Sequence, residues 1–171
     1  MSAPLPAGTR RVLAALARVI CPPEAQELGI IPAIVDHVGL TLSVSPPLLR
    51  RGFVLGVATY DVGALVWLPG RGRRAHLLPP ELAERYFLTW LHGPTPLHRQ
   101  LAIAIKQLLS LAHYEQPEVQ ARMGYRPAQW IEQVKRRRLD VYGEAIARHQ
   151  ASLIAPDPLV PGARRRKKEV A

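Results

Sequence analysis

The residues that could carry chemistry are scattered along this chain. No two histidines form the H-x-x-x-H or H-E-x-x-H pair of a zinc enzyme. The carboxylates include no pair on an apolar face that could act as general acid and base. No serine lies in a nucleophile elbow, and no C-x-x-C-H or G-x-G-x-x-G motif occurs. The sequence therefore predicts no catalytic, cofactor-binding or metal-binding residue. The histidines are His37, His76, His92, His98, His113 and His149.

Two of these histidines flank a proline-rich turn that could bring them together. His92 precedes Gly93-Pro94-Thr95-Pro96, and His98 follows it. No carboxylate accompanies the pair, so a proton-transfer site is not indicated. Surface or helix-capping roles are the favoured interpretation.

The segment Pro69–Pro80, PGRGRRAHLLPP, is the other place where charged side chains cluster. Arginine side chains in a glycine-containing loop can bind phosphate or another anion. The segment lacks the spacing of a phosphate-binding loop. A solvated connection between helices is therefore favoured over an anion site.

Composition limits the class of protein. The chain has 171 residues, 48% of them hydrophobic, which suits one domain with an aliphatic core. The single cysteine, Cys21, excludes an internal disulfide. The formal net charge of +10 is compatible with a nucleic acid, an anionic membrane or an acidic protein as partner. No segment reaches the roughly 18 uncharged apolar residues of a membrane span.

Proline and glycine separate segments of helical periodicity. The pattern predicts an all-α fold, a compact bundle of about five to six helices with Pro/Gly-rich connections. We expect a flexible N-terminus over residues 1–8 and a single helical domain over residues 9–155. Residues 156–171, rich in proline and then in arginine and lysine, are expected to be a disordered basic tail.

The segment from Pro47 to Leu68 is predicted to be one helix, and between Phe53 and Leu68 its only charged residue is Asp61. A buried central helix is the favoured interpretation, and a segment inserted into a partner or a membrane is the alternative. Gly56, Tyr60 and Gly63 share one face at helical spacing. This face would let another helix pack closely.

The segment from Leu97 to Tyr114 shows the clearest helical pattern. Ile103 and Tyr114 fall among its polar residues, which suggests contact with another molecule. The apolar residues expected to form its core face are Leu101, Ala104, Ile105, Leu108, Leu109, Leu111 and Ala112.

The following loop ends at Gly124, where a left-handed helix cap is expected. Met123 and Tyr125 flank this glycine, and Trp130 lies at the start of a last helix over residues 128–152. The predicted partner-binding residues are Ile103, Tyr114, Met123, Tyr125 and Trp130.

The segment LLSLAHYEQPEVQARMGY combines an apolar helix, an aromatic residue, P-E-V and a short helix that ends in G-Y. This pattern resembles the gluconate 2-dehydrogenase subunit 3 family, the small gamma subunits of flavin-dependent dehydrogenases of the glucose-methanol-choline type. AQELGIIPAIVDHVGLTL and LLPPELAERYFLTWLHG are similar to earlier segments of that family. The resemblance covers about Val12 to Tyr125.

The resemblance implies a non-catalytic, helical accessory subunit. It would bind a large FAD-dependent oxidoreductase subunit and help it to fold, stay soluble or be exported. FAD would be bound by that partner, and this chain would hold no cofactor. Contact with a membrane would be indirect, if it occurs.

Family members commonly carry a twin-arginine export signal. Here Arg10-Arg11 precede VLAALARVICPP, which has an internal arginine, and no A-x-A cleavage site follows it. A retained amphipathic helix and a cytoplasmic complex are favoured, and a periplasmic location is the alternative if the chain is exported with its partner. The alternative function is that of a basic, helical nucleic-acid-binding protein.

Overall fold

The computed structural model of the protein describes residues 5–152. Within that range the backbone is helical and contains no strand, so the all-α prediction is confirmed. Six of the helices are long, and α2 and α7 are about one or two turns. The helices are α1 (Ala7–Ile20), α2 (Glu24–Glu27), α3 (Ile31–Ser43), α4 (Pro47–Gly63), α5 (Pro80–Leu91), α6 (Pro96–Tyr114), α7 (Pro117–Arg122) and α8 (Pro127–Ser152).

The chain divides into two compact units, residues 1–125 and residues 126–171. The sequence prediction of one helical domain over residues 9–155 did not include this boundary. In the second unit the structure describes α8. The predicted basic tail, residues 156–171, lies outside the described residues, as do the first four residues of the predicted flexible N-terminus.

Proline begins most of the helices. It occupies one of the first two positions of α3, α4, α5, α6 and α7, where a helix needs no backbone N–H donor. At α6 the side chain of Thr95 also accepts a hydrogen bond from the backbone N–H of His98. The interpretation of the proline-rich segments as boundaries between helices is therefore confirmed.

The core of the first unit lies where α1, α3 and α6 pack together and where α5 packs against α6. Leu13, Ile34, Val38, Ile105 and Leu109 are fully buried there. An ion pair between Arg10 and Asp36, at 2.6 Å, links α1 to α3 at the surface.

Helix α4 differs from its prediction. It ends at Gly63 rather than at Leu68, and only Val57, Tyr60 and Asp61 are buried in it. The interpretation as a buried central helix is therefore wrong for the first half of α4. The aliphatic side chains of Leu48, Leu49 and Leu55 in that half are exposed instead. No helix in the described part of the chain has the length and hydropathy needed to cross a membrane.

The core face of α6 is also shifted from its prediction. The fully buried side chains are those of Ala102, Ile105, Leu109, Ala112 and His113. The apolar arc of this helix is wide enough for two surfaces, and one of them does not face the core. The predicted core residues Leu101, Ala104 and Leu108 are half-buried, and Leu111 is 51% exposed.

Candidate interaction surface

A hollow of about 700 Å³ lies between α4 and α6 and reaches the end of α3. We call it the α4/α6 hollow. Its lining includes three polar side chains, Ser45, Gln100 and Gln107, and no charged side chain. The other lining residues are Leu42, Leu48, Leu49, Gly52, Phe53, Leu97, Leu101, Ala104, Leu108 and Leu111.

The lining residues of α6 follow a heptad spacing. Leu97, Leu101, Ala104, Leu108 and Leu111 lie at i, i+4, i+7, i+11 and i+14. This is the spacing with which one helix presents a continuous seam to a second helix. The seam runs for about 21 Å, or about four helical turns, along α6.

The lining residues of α4 are strongly exposed for aliphatic side chains. Leu48 is 81% exposed and Leu49 is 64% exposed. A second hollow, of about 380 Å³, adjoins the first because both are lined by Gly52, Leu97 and Leu101. Leu55, 68% exposed, lines this second hollow.

A glycine of α4 lies directly beneath a leucine side chain of α6. A Cβ atom added at Gly56 would lie 2.8 Å from Cδ1 of Leu101. Such a contact is too short, so a larger residue at position 56 would displace the side chain of Leu101. The close-packing stripe predicted for α4 is thus present at Gly56. At Gly63 an added Cβ atom would lie 2.8 Å from the hydroxyl oxygen of Tyr86.

Sequence reasoning placed most of the α6 seam in the core and did not single out Leu48, Leu49 or Leu55. Their exposure depends on which sides of α4 the other helices cover, and a single sequence does not contain that information. The heptad spacing of Leu97 to Leu111 is the sequence pattern that could have identified the α6 part of this surface.

All five predicted partner-binding residues are exposed. Ile103 is 44% exposed, Tyr114 51%, Met123 56%, Tyr125 57% and Trp130 65%. Ile103 and Tyr114 lie about three turns apart on the same stripe of α6, well away in angle from the heptad seam.

Met123 and Tyr125 flank Gly124 after α7, and the structure shows the predicted left-handed cap. Gly124 has φ +67°. The backbone N–H of Tyr125 donates to the carbonyl of Gln120 at 2.9 Å. The cap therefore fixes the backbone on which both exposed side chains are carried.

Trp130 lies in the second unit, on α8. This helix carries further exposed apolar side chains, among them Leu139, Val141 and Tyr142. The four consecutive basic residues 135–138 are also exposed. Arg136 forms an ion pair with Glu132 on the same helix, at 3.3 Å.

The segment Pro69–Pro80 is a folded connection rather than an open loop. Ala75 and Leu78 are buried, and the 3-10 turn Ala75–Leu77 packs on α1 and α4. Two of its side chains, those of Arg74 and His76, contact Asp61, which is 5% exposed on α4. Nδ1 of His76 lies 2.7 Å from this carboxylate and Nη1 of Arg74 lies 3.6 Å from it.

The Asp61 cluster resembles the histidine–carboxylate pair of an enzyme, but it has a structural role. The backbone N–H of His76 also donates to Asp61, at 3.1 Å, so the carboxylate holds the turn in place. The cavity beside His76 has a volume of about 10 Å³, too small for a substrate. The cluster therefore anchors the connection to α4.

Two further reactive groups are buried. The thiol of Cys21 faces the carbonyl of Leu109, at 3.8 Å, and burial raises its pKa to about 11. His113 is 2% exposed, and its Nδ1 has no hydrogen-bond partner among the described residues. Burial lowers the pKa of His113, and the negative charge of Glu24 opposes this shift. Both side chains are core residues in this fold.

The turn histidine His98 lies in the first turn of α6, which the side chain of Thr95 caps. Its ring packs against Trp90, with ring centroids 4.5 Å apart, and its backbone binds Thr95. Among the described residues, no group of three or more His, Cys, Asp or Glu side chains could hold a metal ion.

Comparison with protein-family models, curated proteins and solved structures finds no match to this chain.

Proposed function

We propose that the chain is a non-catalytic accessory subunit that binds and stabilises a large FAD-dependent oxidoreductase subunit of the glucose-methanol-choline type. On this proposal the flavin and the catalytic site belong to the partner. The complex is cytoplasmic, or periplasmic if the chain is exported with its partner. The family resemblance over Val12 to Tyr125 supplies the identity of the partner.

The observation that carries the proposal is the apolar surface of the first unit. The α4/α6 hollow and the exposed aliphatic residues around it form an apolar surface of the kind that marks protein interaction sites. The exposed aromatic side chains Tyr114 and Tyr125 add to it, since aromatic residues are enriched in interfaces. Such a surface is expected of a subunit that is covered in its working assembly.

Co-expression with a large flavoprotein encoded beside this chain tests the proposal. We expect a tag on this chain to recover both proteins, with flavin absorbance in the complex and none in this chain purified alone. Flavin-dependent dehydrogenase activity should reside in the large subunit. A soluble, catalytically active monomer of this chain would overturn the proposal.

A matched pair of variants separates binding from folding in that experiment. Tyr125→Ala removes an exposed aromatic side chain and should reduce recovery of the partner while leaving the melting temperature of the subunit unchanged. Arg122→Ala, at an exposed position in the same segment, is the control and should preserve recovery. Equal losses of binding and stability with Tyr125→Ala would make it a core residue.

The exposed basic residues 135–138 on α8 favour a second candidate, nucleic-acid binding. Affinity for duplex DNA that falls steeply with salt, and that survives deletion of residues 164–171, would support this function. The absence of such binding in the full chain would exclude it.

A further inference from the structure

We propose that the turn formed by residues 66–74 docks on the surface of an anionic phospholipid bilayer. In this arrangement Val66 and Leu68 enter the outer acyl layer, and Arg71 and Arg73 contact the headgroup phosphates. We call this segment the 66–74 turn. The proposal does not rest on the proposed function, because every contact that it uses lies within the first unit of this chain.

Two aliphatic side chains point away from the protein at the start of the turn. Leu68 is 91% exposed and Val66 is 86% exposed, the two highest values for large hydrophobic side chains among the described residues. Trp67 lies between them with extended backbone dihedral angles, φ −79° and ψ 110°. Because successive side chains of an extended backbone point to opposite sides, Val66 and Leu68 share the outer side and Trp67 takes the inner one.

The inner side holds the turn in a fixed position. The half-buried ring of Trp67 has its centroid 5.2 Å from that of Tyr86. Gly70 is buried, and a Cβ atom added there would lie 3.1 Å from the carbonyl oxygen of Ala64 and 3.4 Å from Cδ2 of Leu78. The exposed aliphatic pair is therefore carried on a packed backbone, so docking requires little ordering of the chain.

Two arginines follow in the same turn. The backbone N–H of Arg71 donates to the carbonyl of Leu68 at 3.2 Å, and that of Arg73 donates to the carbonyl of Gly70 at 3.1 Å. Arg71 and Gly72 have φ +49° and +70°, as the two central residues of a type I′ turn do. Two consecutive hydrogen-bonded turns therefore place both exposed arginines close behind Leu68.

The charge beside the aliphatic pair is positive. Between Asp61 and Glu81 the sequence contains three arginines and no acidic residue. Arg74 contacts the buried Asp61, at 3.6 Å. Within the described part of the chain, neither Arg71 nor Arg73 forms an ion pair. Both guanidinium groups are therefore available to phosphate, which arginine binds through two parallel hydrogen bonds.

An anionic bilayer matches both parts of this surface, because it presents phosphates with acyl chains directly beneath them. A nucleic acid presents phosphates, but its backbone has no apolar layer for Val66 and Leu68. An acidic protein would need a cleft to enclose two protruding side chains, and it is the alternative outcome of the test below. Since only two aliphatic side chains enter the acyl layer, attachment is peripheral and reversible.

The test uses the full-length chain fused to a cysteine-free soluble carrier. Because Cys21 is the single cysteine and is buried, Leu68→Cys can be labelled selectively with an environment-sensitive fluorophore. Leu48→Cys is the matched control, since Leu48 is 81% exposed at the opposite end of α4. Vesicles of phosphatidylcholine alone are compared with vesicles that also contain phosphatidylglycerol, and flotation measures binding to each.

We expect the label at position 68 to shift its emission to shorter wavelength on anionic vesicles, and the label at position 48 to keep its emission. Binding to anionic vesicles should be at least about tenfold stronger than binding to neutral ones. Leu68→Ser and the double variant Arg71→Ala/Arg73→Ala should each weaken binding to anionic vesicles about tenfold. Leu48→Ser should bind as the wild type does, and circular dichroism should give the same helix content for all variants.

Three results would overturn the proposal. One is binding to anionic vesicles that Leu68→Ser and the double arginine variant leave unchanged, since attachment would then lie elsewhere in the chain. Another is an emission shift of the label at position 48 in place of that at position 68. A third is a wild-type chain that does not float with anionic vesicles. If Leu68→Ser then reduced recovery of the flavoprotein, the 66–74 turn would contact a protein instead.

Discussion

The two halves of α4 belong to the same helix but differ in how they are packed. From Val57 to Gly63 the helix contributes three buried residues, and the buried Ala64 follows directly. From Pro47 to Gly56 it contributes none. The first half borders the open hollow, and the second half is enclosed by α1, α5 and the anchored connection.

The composition of the two halves does not explain this difference, since both are mostly apolar. The second half has specific partners. The ring of Tyr60 lies 4.9 Å from that of Tyr86 and 5.3 Å from that of Trp90. The hydroxyl of Tyr86 donates to the carbonyl of Tyr60 at 2.9 Å. The first half has exposed aliphatic side chains, those of Leu48, Leu49 and Leu55, in place of such aromatic contacts.

The largest loss of stability should follow removal of the aromatic contact that Tyr86 makes with the second half of α4. Tyr86→Ala removes a ring that is 3% exposed, and it should lower the free energy of unfolding by about 3–5 kcal/mol. Leu48→Ala, on the open side, should change it by less than about 0.5 kcal/mol. Chemical denaturation followed by circular dichroism measures both.

Tyr86→Phe is the control that separates the ring from the hydroxyl group. It keeps the ring contacts and removes one hydrogen bond, so about 0.5–1.5 kcal/mol should be lost. If Leu48→Ala destabilised the chain as much as Tyr86→Ala, the open half of α4 would belong to the core and the comparison would fail.

The sequence was sufficient to predict what depends on local signals. The all-α class follows from helical periodicity, and the helix starts follow from Pro32, Pro47, Pro80, Pro96 and Pro117. The left-handed cap at Gly124 follows from the need for a residue without a side chain.

The sequence was insufficient wherever two apolar surfaces share one helix. Periodicity shows that α6 is apolar over half its circumference, but it does not show that Ile105 faces the core while Leu108 faces the hollow. The same holds for Leu48 and Val57 on α4. Which surface is covered depends on tertiary packing. The exposure of Ile103 and Tyr114, by contrast, followed from their place among polar residues.

A smaller loss of stability is expected when the contact between His76 and Asp61 is removed. His76→Ala removes the side chain closest to the buried carboxylate of Asp61, leaving Arg74 and one backbone N–H. Because a hydrogen bond to a charged group is lost, we expect the free energy of unfolding to fall by about 1.5–3 kcal/mol.

His92→Ala serves as the control for His76→Ala, since His92 is an exposed histidine outside the Asp61 cluster. Thermal denaturation of both variants should show the larger loss for His76→Ala. An unchanged melting temperature in His76→Ala would mean that the connection is held by Ala75 and Leu78 alone.

The smallest effect concerns pH and the packed face of α6. Burial holds the pKa of His113 below its ordinary value near 6.5, so the unfolded state takes up a proton more readily than the folded state. This contribution to stability is fully present above about pH 6.5 and is lost as the pH falls toward the lower pKa of the folded state. His113→Leu removes the titrating group and the buried nitrogen that lacks a partner. We expect this variant to lose less stability than the wild type between pH 7 and pH 5, measured by denaturation at each pH.

The exposed His149 on α8 is the control, and His149→Leu should leave the pH dependence unchanged. A wild-type pH dependence that persists in His113→Leu would place the responsible group elsewhere, and the packed face of α6 would then be no more sensitive to protonation than its open face.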